Sequence, residues 1–127
     1  MIKNFISLGS LNAAFAVILG AFGAHALNSK IPPEALDIFQ TGVQYHFYHS
    51  LGLILIGIVI RIAKSSTALF VSGWTMLTGI ILFSGSLYII SITGIQSIGI
   101  ITPIGGILFI VSWVLFAIET VEKVQRP

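Results

Sequence analysis

The sequence predicts an all-α integral membrane protein, a bundle of four membrane-spanning helices with both termini in the cytoplasm. Of its 127 residues, 56% are hydrophobic and only 8% are charged, whereas about 25% are charged in an ordinary soluble domain. The mean hydropathy is +1.05, and four stretches lack charged side chains and are long enough to cross a bilayer. The chain contains no cysteine, which excludes disulfides, thiolate metal sites and cysteine nucleophiles.

The first span is predicted at about residues 5–27. No Asp, Glu, Lys or Arg occurs from Asn4 to Ser29, and this run exceeds the roughly 20 residues that cross the hydrocarbon core. Pro32 and Pro33 follow, and proline cannot continue a helix. A secretory signal peptide is the alternative, but its apolar run is typically only ~7 to 15 residues long. We therefore expect the span to be retained.

The second span is predicted at about residues 37–60, because no charged residue occurs between Asp37 and Arg61. A longer uncharged stretch runs from residue 65 to residue 118. As one helix it would extend about 80 Å, far beyond the thickness of a bilayer, so it must fold back. Turn-forming residues cluster between Thr93 and Pro103, which predicts the last two spans at about 68–92 and 103–119.

The basic residues predict the orientation, because they stay preferentially on the cytoplasmic side in short loops. Only Lys30 falls on the outer side of the four-span arrangement. The chain has no basic run typical of a nucleic-acid-binding protein, so the predicted partner is the lipid bilayer, together with a second copy or another membrane protein. The basic residues predicted to be cytoplasmic are Lys3, Arg61, Lys64, Lys123 and Arg126.

This topology predicts which engineered cysteines an impermeant thiol reagent reaches in intact cells. The chain has no cysteine of its own, so single substitutions are labelled without background. We expect labelling of cysteines at Ser29 and Ser97, and none at Ser65 and Gln125. Labelling at either of the last two positions in intact cells would contradict the topology.

Polar side chains in the second span are the strongest functional signal, since polar and ionisable groups inside a bilayer are costly and mark functional sites by default. At 100° per residue, five of them share one helix face, with His46 and His49 on an adjacent face. Beside span one, His49 would lie near mid-bilayer, and His25 would meet the start of span two. We call the candidate functional residues the polar track: His25, Asp37, Gln40, Thr41, Gln44, Tyr45, Tyr48 and His49.

Three interpretations compete for these residues. The side chains form hydrogen bonds between helices, which would set helix register without any chemistry. Alternatively, His46 and His49 bind a metal with help from His25, Glu34 or Asp37. The third possibility is that the polar track carries protons or a small ligand. We expect His46→Gln to have little effect on stability and His49→Leu to lower it clearly, because His49 is the polar group nearest mid-bilayer.

Small residues predict where helices pack closely, since lipid supplies no hydrophobic drive for helix association and small side chains let backbones approach. They occur in every span, and in span one they recur at four-residue spacing. Close packing is the simplest interpretation of such patterns. The residues predicted to pack helices are Gly20, Gly23, Gly42, Ser84, Gly85, Ser86, Gly105 and Gly106.

Four segments resemble a family of small bacterial membrane proteins known as domain of unknown function 423, to which transmembrane protein 256 is related. They are GAFGAHAL (20–27), TGVQYHFYH (41–49), LFSGSLY (82–88) and TPIGG (102–106). The resemblance covers essentially the whole chain and implies a four-helix protein of the bacterial plasma membrane without an established activity. His46 departs from it, because members of the family often carry glutamine there. This departure weakens the metal interpretation.

The predicted function is that of a structural or accessory component that supports membrane integrity or a membrane complex. No catalytic triad, phosphate-binding loop or nucleotide fingerprint occurs, so we expect neither enzymatic activity nor a cofactor or metal. The alternative is a carrier or binding protein for protons, a metal or a small lipophilic ligand, acting through the polar track.

Overall fold

The protein, described by a computed structural model, consists of helices in residues 2–63 and 66–125, the parts of the chain that the structure describes. The helices are α1 (Ile2–Phe22), α2 (Pro33–Ile62), α3 (Thr67–Gly79), α4 (Gly85–Thr93) and α5 (Ile101–Gln125). A π-helical turn, Gly23–Leu27, extends α1, and another, Ile80–Ser84, joins α3 to α4. Among the described residues, four continuous helical stretches are therefore long and apolar enough to cross a membrane.

Proline and serine determine where the second and third stretches begin. Pro33 is the first residue of α2, a position where the missing amide hydrogen costs nothing. Ser66 caps α3, since its hydroxyl oxygen accepts a hydrogen bond from the Leu69 amide at 3.2 Å. The same hydroxyl donates to Glu119 Oε2 at 2.8 Å. The start of α3 is thereby tied to the end of α5.

Glycine determines where the long uncharged stretch folds back. Gly94 ends α4 with a left-handed backbone, φ +74°, which glycine adopts without steric cost. Its amide donates to the Ile90 carbonyl oxygen at 2.8 Å, as in a helix C-cap. A short 3₁₀ helix, Gln96–Ile100, then leads into α5. The fold-back therefore lies where the sequence predicts it.

The helices pack in an order that leaves α1 and α5 on the outside. The first helix packs on α2, which also contacts α3 and α4, and α5 packs mainly on α3. The core contains Phe5, Leu53, Ile56, Met76 and Phe109. Large apolar side chains on α1 and α5 point outward, as expected for surfaces that face lipid.

The sequence-based assignment of both termini to the cytoplasm stays a prediction. Lys64 and Arg126, two of the residues on which it depends, lie outside the described residues. The same holds for the side chains of Lys3 and Lys123 and for the cysteine position at Ser65.

Candidate functional site

The centre of the bundle holds a hydrogen-bonded chain of three side chains from three different helices. The imidazole of His46 on α2 lies between Asn12 on α1 and Tyr88 on α4. Its Nε2 is 2.9 Å from Asn12 Oδ1, and its Nδ1 is 2.8 Å from the Tyr88 hydroxyl oxygen. His46 is 5% exposed, so these bonds form away from water. We call this chain the Asn12–His46–Tyr88 network.

The position of each proton in this network follows from the hydrogen-bonding capacity of its members. The Asn12 amide nitrogen donates to the Leu8 carbonyl oxygen at 2.9 Å, which leaves Oδ1 as the acceptor toward His46. Nε2 of His46 therefore carries the hydrogen, and Nδ1 accepts the hydroxyl hydrogen of Tyr88. This assignment holds for a neutral histidine, in which case the network connects three helices without a charge.

His49 has a different environment, although it lies only three residues further along α2. Its Nδ1 donates to the Tyr45 carbonyl oxygen of its own helix at 2.7 Å. Its ring stacks on Phe109 of α5, with centroids 3.5 Å apart and an interplanar angle of 10°. His46, and not His49, therefore makes the side-chain hydrogen bonds between helices.

The polar track divides between two sides of α2. His25 is exposed in the π-helical turn, and Asp37, Gln40, Gln44 and Tyr48 are exposed on the outer face of α2. Tyr45 and His49 instead face α5. The Thr41 hydroxyl only donates to the Asp37 carbonyl oxygen, at 3.0 Å. The structure therefore does not join these residues into one path.

A groove lies beside the exposed polar face, between α1 and α2. Two adjoining depressions of about 460 and 590 Å³ form it, and both are lined by Gly20, Val43 and Gln44. Ala16 and Tyr48 line the larger depression, whereas Asp37 lines the smaller one. We call this surface the α1–α2 groove. It combines small residues with polar side chains.

Several of the small residues let helices approach closely. A Cβ added to Gly23 would lie 2.8 Å from the Phe39 ring, and one added to Gly42 would lie 2.9 Å from the Tyr88 ring. At Gly20 the nearest atom, on Val43, would be 3.3 Å away. Real Cβ atoms rarely approach other atoms within 3.0 Å. A side chain at either of the first two positions would therefore force the neighbouring ring to shift.

Two of the eight predicted packing residues have room for a side chain, and this corrects the prediction. A Cβ on Gly85 would meet nothing within 4 Å, and one on Gly106 would meet only the Phe83 ring, at 3.8 Å. Gly105 differs from its neighbour, because a Cβ there would collide with the Phe83 backbone nitrogen. Adjacent glycines on a helix point in directions 100° apart, so only one of them faces the neighbouring helix.

Hydroxyl groups supply further bonds between helices. Ser84 donates to the Gly42 carbonyl oxygen at 2.7 Å, and the hydroxyls of Ser86 and Thr102 bond to each other. Two residues that the sequence analysis did not select, Ser72 and Ser112, each donate to the other's carbonyl oxygen. Small-residue spacing in spans three and four was the only sequence signal for this pair.

The remaining polar chemistry can be stated for the described residues alone. Within them no three His, Asp or Glu side chains converge as metal ligands would. Every buried side-chain nitrogen or oxygen in that part of the chain has a hydrogen-bond partner. The fully enclosed polar atoms that the structure describes are thus engaged with other parts of the protein.

Comparisons with known proteins agree with this membrane architecture. Residues 19–106 match the model of the family described as "Protein of unknown function (DUF423)". The chain is 49% identical over 120 residues to the UPF0382 membrane protein YwdK of Bacillus subtilis, covering 94% of this chain and 98% of the relative. It is 48% identical to a UPF0382 membrane protein of Staphylococcus saprophyticus, covering 93% and 97% of the two chains. No solved structure matches the chain significantly.

The relatives are bacterial membrane proteins by name, and this chain has the helices to cross a bilayer four times. The protein is accordingly a multi-pass membrane protein, similar to membrane proteins of bacteria. Because the family model matches more than half of the chain and the relatives align over nearly their whole lengths, the chain belongs to the DUF423 family.

Proposed function

We propose that the protein is a non-enzymatic structural or accessory component that supports the integrity of the membrane, and that it acts by pairing with a second copy of itself. The observation that carries the proposal is the polar outer face of α2, where Gln40, Gln44 and Tyr48 are exposed. A face of this kind would be expensive to leave against lipid. A partner in the membrane removes that cost.

The depth of this face is given by the length of α2. The 30 residues of Pro33–Ile62 extend about 45 Å, compared with a hydrocarbon core of ~30 Å. When the helix is centred in the bilayer, Gln44 lies roughly 5 Å from the midplane. Water does not reach that depth, so the Gln44 amide needs a hydrogen-bonding partner within the membrane.

A second copy meets this need because an amide is its own complement. The side chain of Gln44 donates through nitrogen and accepts through oxygen, and a two-fold axis places the same residue opposite itself. The neighbouring Gly20 lines the α1–α2 groove and has no side chain to hold a second helix away. Both features favour a symmetric dimer whose axis passes near Gln44.

The interior of the bundle supports a structural function over a carrier function. In the Asn12–His46–Tyr88 network both imidazole nitrogens are used in hydrogen bonds to other helices, which suits a residue that holds helices together. The polar track also divides between two faces of α2. A carrier that uses this track would need a continuous path.

Cross-linking tests the dimer. Ala21 lines the α1–α2 groove, whereas Val114 is exposed on α5, away from it. Because the chain has no native cysteine, Ala21→Cys in native membranes is expected to form a covalent dimer under mild oxidation. Val114→Cys serves as the control and is expected to stay monomeric. Equal cross-linking at both positions would indicate random collision.

Replacing Gln44 tests the hydrogen bond itself. Gln44→Leu is expected to weaken dimerisation about tenfold or more, measured by energy transfer between labelled copies diluted into liposomes, because hydrogen bonds between membrane helices contribute ~1 to 2 kcal/mol. Gln96→Leu makes the same chemical change at an exposed position at the start of the 3₁₀ helix before α5 and should have no effect. An unchanged dimer in Gln44→Leu would refute the proposed interface.

The same pair of variants tests the function in cells. A strain that lacks the protein is expected to admit a membrane-impermeant dye more readily than the parent strain. Wild type and Gln96→Leu should restore exclusion of the dye, and Gln44→Leu should fail to do so at equal abundance. Full restoration by Gln44→Leu would separate the function from the dimer.

A further inference from the structure

A second groove lies between α2 and α5, separate from the α1–α2 groove. It encloses about 500 Å³ and is lined largely by rings. His49 and Tyr45 line it from α2, and Phe109 and Trp113 line it from α5. Phe83 lines it from the π-helical turn Ile80–Ser84. Gly106 leaves one wall without a side chain. We call this surface the aromatic groove.

His49, which lines the aromatic groove, has one ring nitrogen without a hydrogen-bond partner among the described residues. Its Nδ1 donates to the Tyr45 carbonyl oxygen, so Nε2 carries a lone pair and acts as an acceptor. None of the described residues provides a hydrogen-bond partner for Nε2, yet every enclosed polar atom among them has one. Nε2 therefore reaches the surface of the protein, although the residue as a whole is only 5% exposed.

The groove is reached from the hydrocarbon core. His49 is one or two residues from the middle of Pro33–Ile62, which places it within about 5 Å of the midplane when α2 is centred. A phospholipid keeps its polar head at the interface, so it cannot bring a hydrogen-bond donor to this depth. The occupant must instead dissolve in hydrocarbon together with its donor.

We propose that the aromatic groove binds a lipophilic molecule with a hydroxyl group on a flat aromatic ring, of the phenol or hydroquinone class. The rings of Phe83, Phe109 and Trp113 offer stacking surfaces to such a molecule. Its hydroxyl donates to Nε2 of His49, and the partly exposed ring of Tyr45 lines the same groove. Pockets for small molecules combine apolar walls with a few polar groups in the same way.

This inference does not depend on the proposed dimer. The aromatic groove and the α1–α2 groove share no lining residue. Gln44→Leu tests dimerisation without altering the aromatic groove. Binding in the aromatic groove is measured on the wild-type chain and on variants of His49, so failure of one proposal leaves the other standing.

Two probes that differ only in the donor test the proposal. 4-Decylphenol carries the hydroxyl, and 4-decylanisole carries a methyl ether in its place. Each is titrated into the full chain in phosphatidylcholine nanodiscs, and quenching of Trp113 fluorescence is followed in a Trp74→Phe background. We expect the phenol to bind at least about tenfold more tightly than the anisole. Equal affinity of the two probes would overturn the proposal, since the apolar walls alone would then explain binding.

A matched pair of variants tests whether His49 accepts the hydrogen bond from the phenol hydroxyl. His49→Phe keeps a ring to stack on Phe109 but removes the acceptor, and it should abolish the difference between phenol and anisole. His25→Phe makes the same change at an exposed site outside the groove and should preserve that difference. A difference that persists in His49→Phe would overturn the assignment.

A spectroscopic measurement keeps the test independent of the variants. In wild-type protein with ¹⁵N-labelled histidine, the phenol is expected to shift the Nε2 resonance of His49 toward values typical of a hydrogen-bonded acceptor. The anisole should leave that resonance in place. An unshifted resonance at saturating phenol would overturn the proposal even if the variants do not fold.

Discussion

Gly105→Ala is expected to lower the free energy of unfolding by about 1 to 3 kcal/mol, because the added Cβ does not fit in the close contact between α5 and the preceding helical stretch. An ideal Cβ there would collide with the Phe83 backbone nitrogen and lie 2.9 Å from the Phe83 Cα. Backbone atoms cannot shift as easily as a flexible side chain, so α5 must move away from the π-helical turn Ile80–Ser84. Thermal unfolding of the purified protein in mild detergent measures the loss.

Two other glycines provide the controls for this prediction. Gly106→Ala and Gly85→Ala place a Cβ where the nearest atoms are 3.8 Å away or absent within 4 Å. Both residues lie within helices, where alanine is favoured over glycine by up to about 1 kcal/mol. We expect these variants to match or exceed the stability of the wild type. A comparable loss in all three would show that the π-helical turn does not pack as described.

His46→Leu is the second substitution that is expected to lower the stability strongly. It removes both hydrogen bonds of the Asn12–His46–Tyr88 network and leaves Asn12 Oδ1 and the Tyr88 hydroxyl without partners. An unpartnered buried polar group costs about 1 to 3 kcal/mol. With two groups affected, we expect a loss of roughly 2 kcal/mol or more, measured by the same unfolding assay.

His46→Gln separates the effect of losing the hydrogen bonds from the effect of losing the imidazole ring. His46→Gln keeps one donor and one acceptor, so it should retain most of the stability. His49→Leu should cost less than His46→Leu, because the His49 ring bonds only to a carbonyl of its own helix. If His49→Leu proved the more destabilising of the two, the Asn12–His46–Tyr88 network would be refuted as the main polar contact between the helices.

The four helical stretches were predictable from the sequence because hydrocarbon excludes charge over a fixed thickness. An uncharged run longer than about 20 residues has to cross the bilayer or fold back within it. Proline and glycine then mark the ends, as Pro33 does at the start of α2 and Gly94 at the end of α4. These signals are local, so they do not depend on which helices are neighbours.

The periodicity of α2 also placed the polar residues on the correct faces. Asp37, Gln40, Gln44 and Tyr48 share the exposed face, as 100° per residue requires. Periodicity alone, however, does not say which face meets which helix. The candidate site could therefore be predicted as a set of residues but not as an arrangement.

Only the tertiary structure decided how His46 and His49 differ. Their spacing of three residues puts them within 60° of each other on α2, yet His46 lies between Asn12 and Tyr88 whereas His49 stacks on Phe109. The sequence of a helix specifies its faces and its depth in the membrane through local geometry and the cost of burying charge. The partners of each face come from residues 34 to 60 positions away, and their contacts arise only when all the helices pack together.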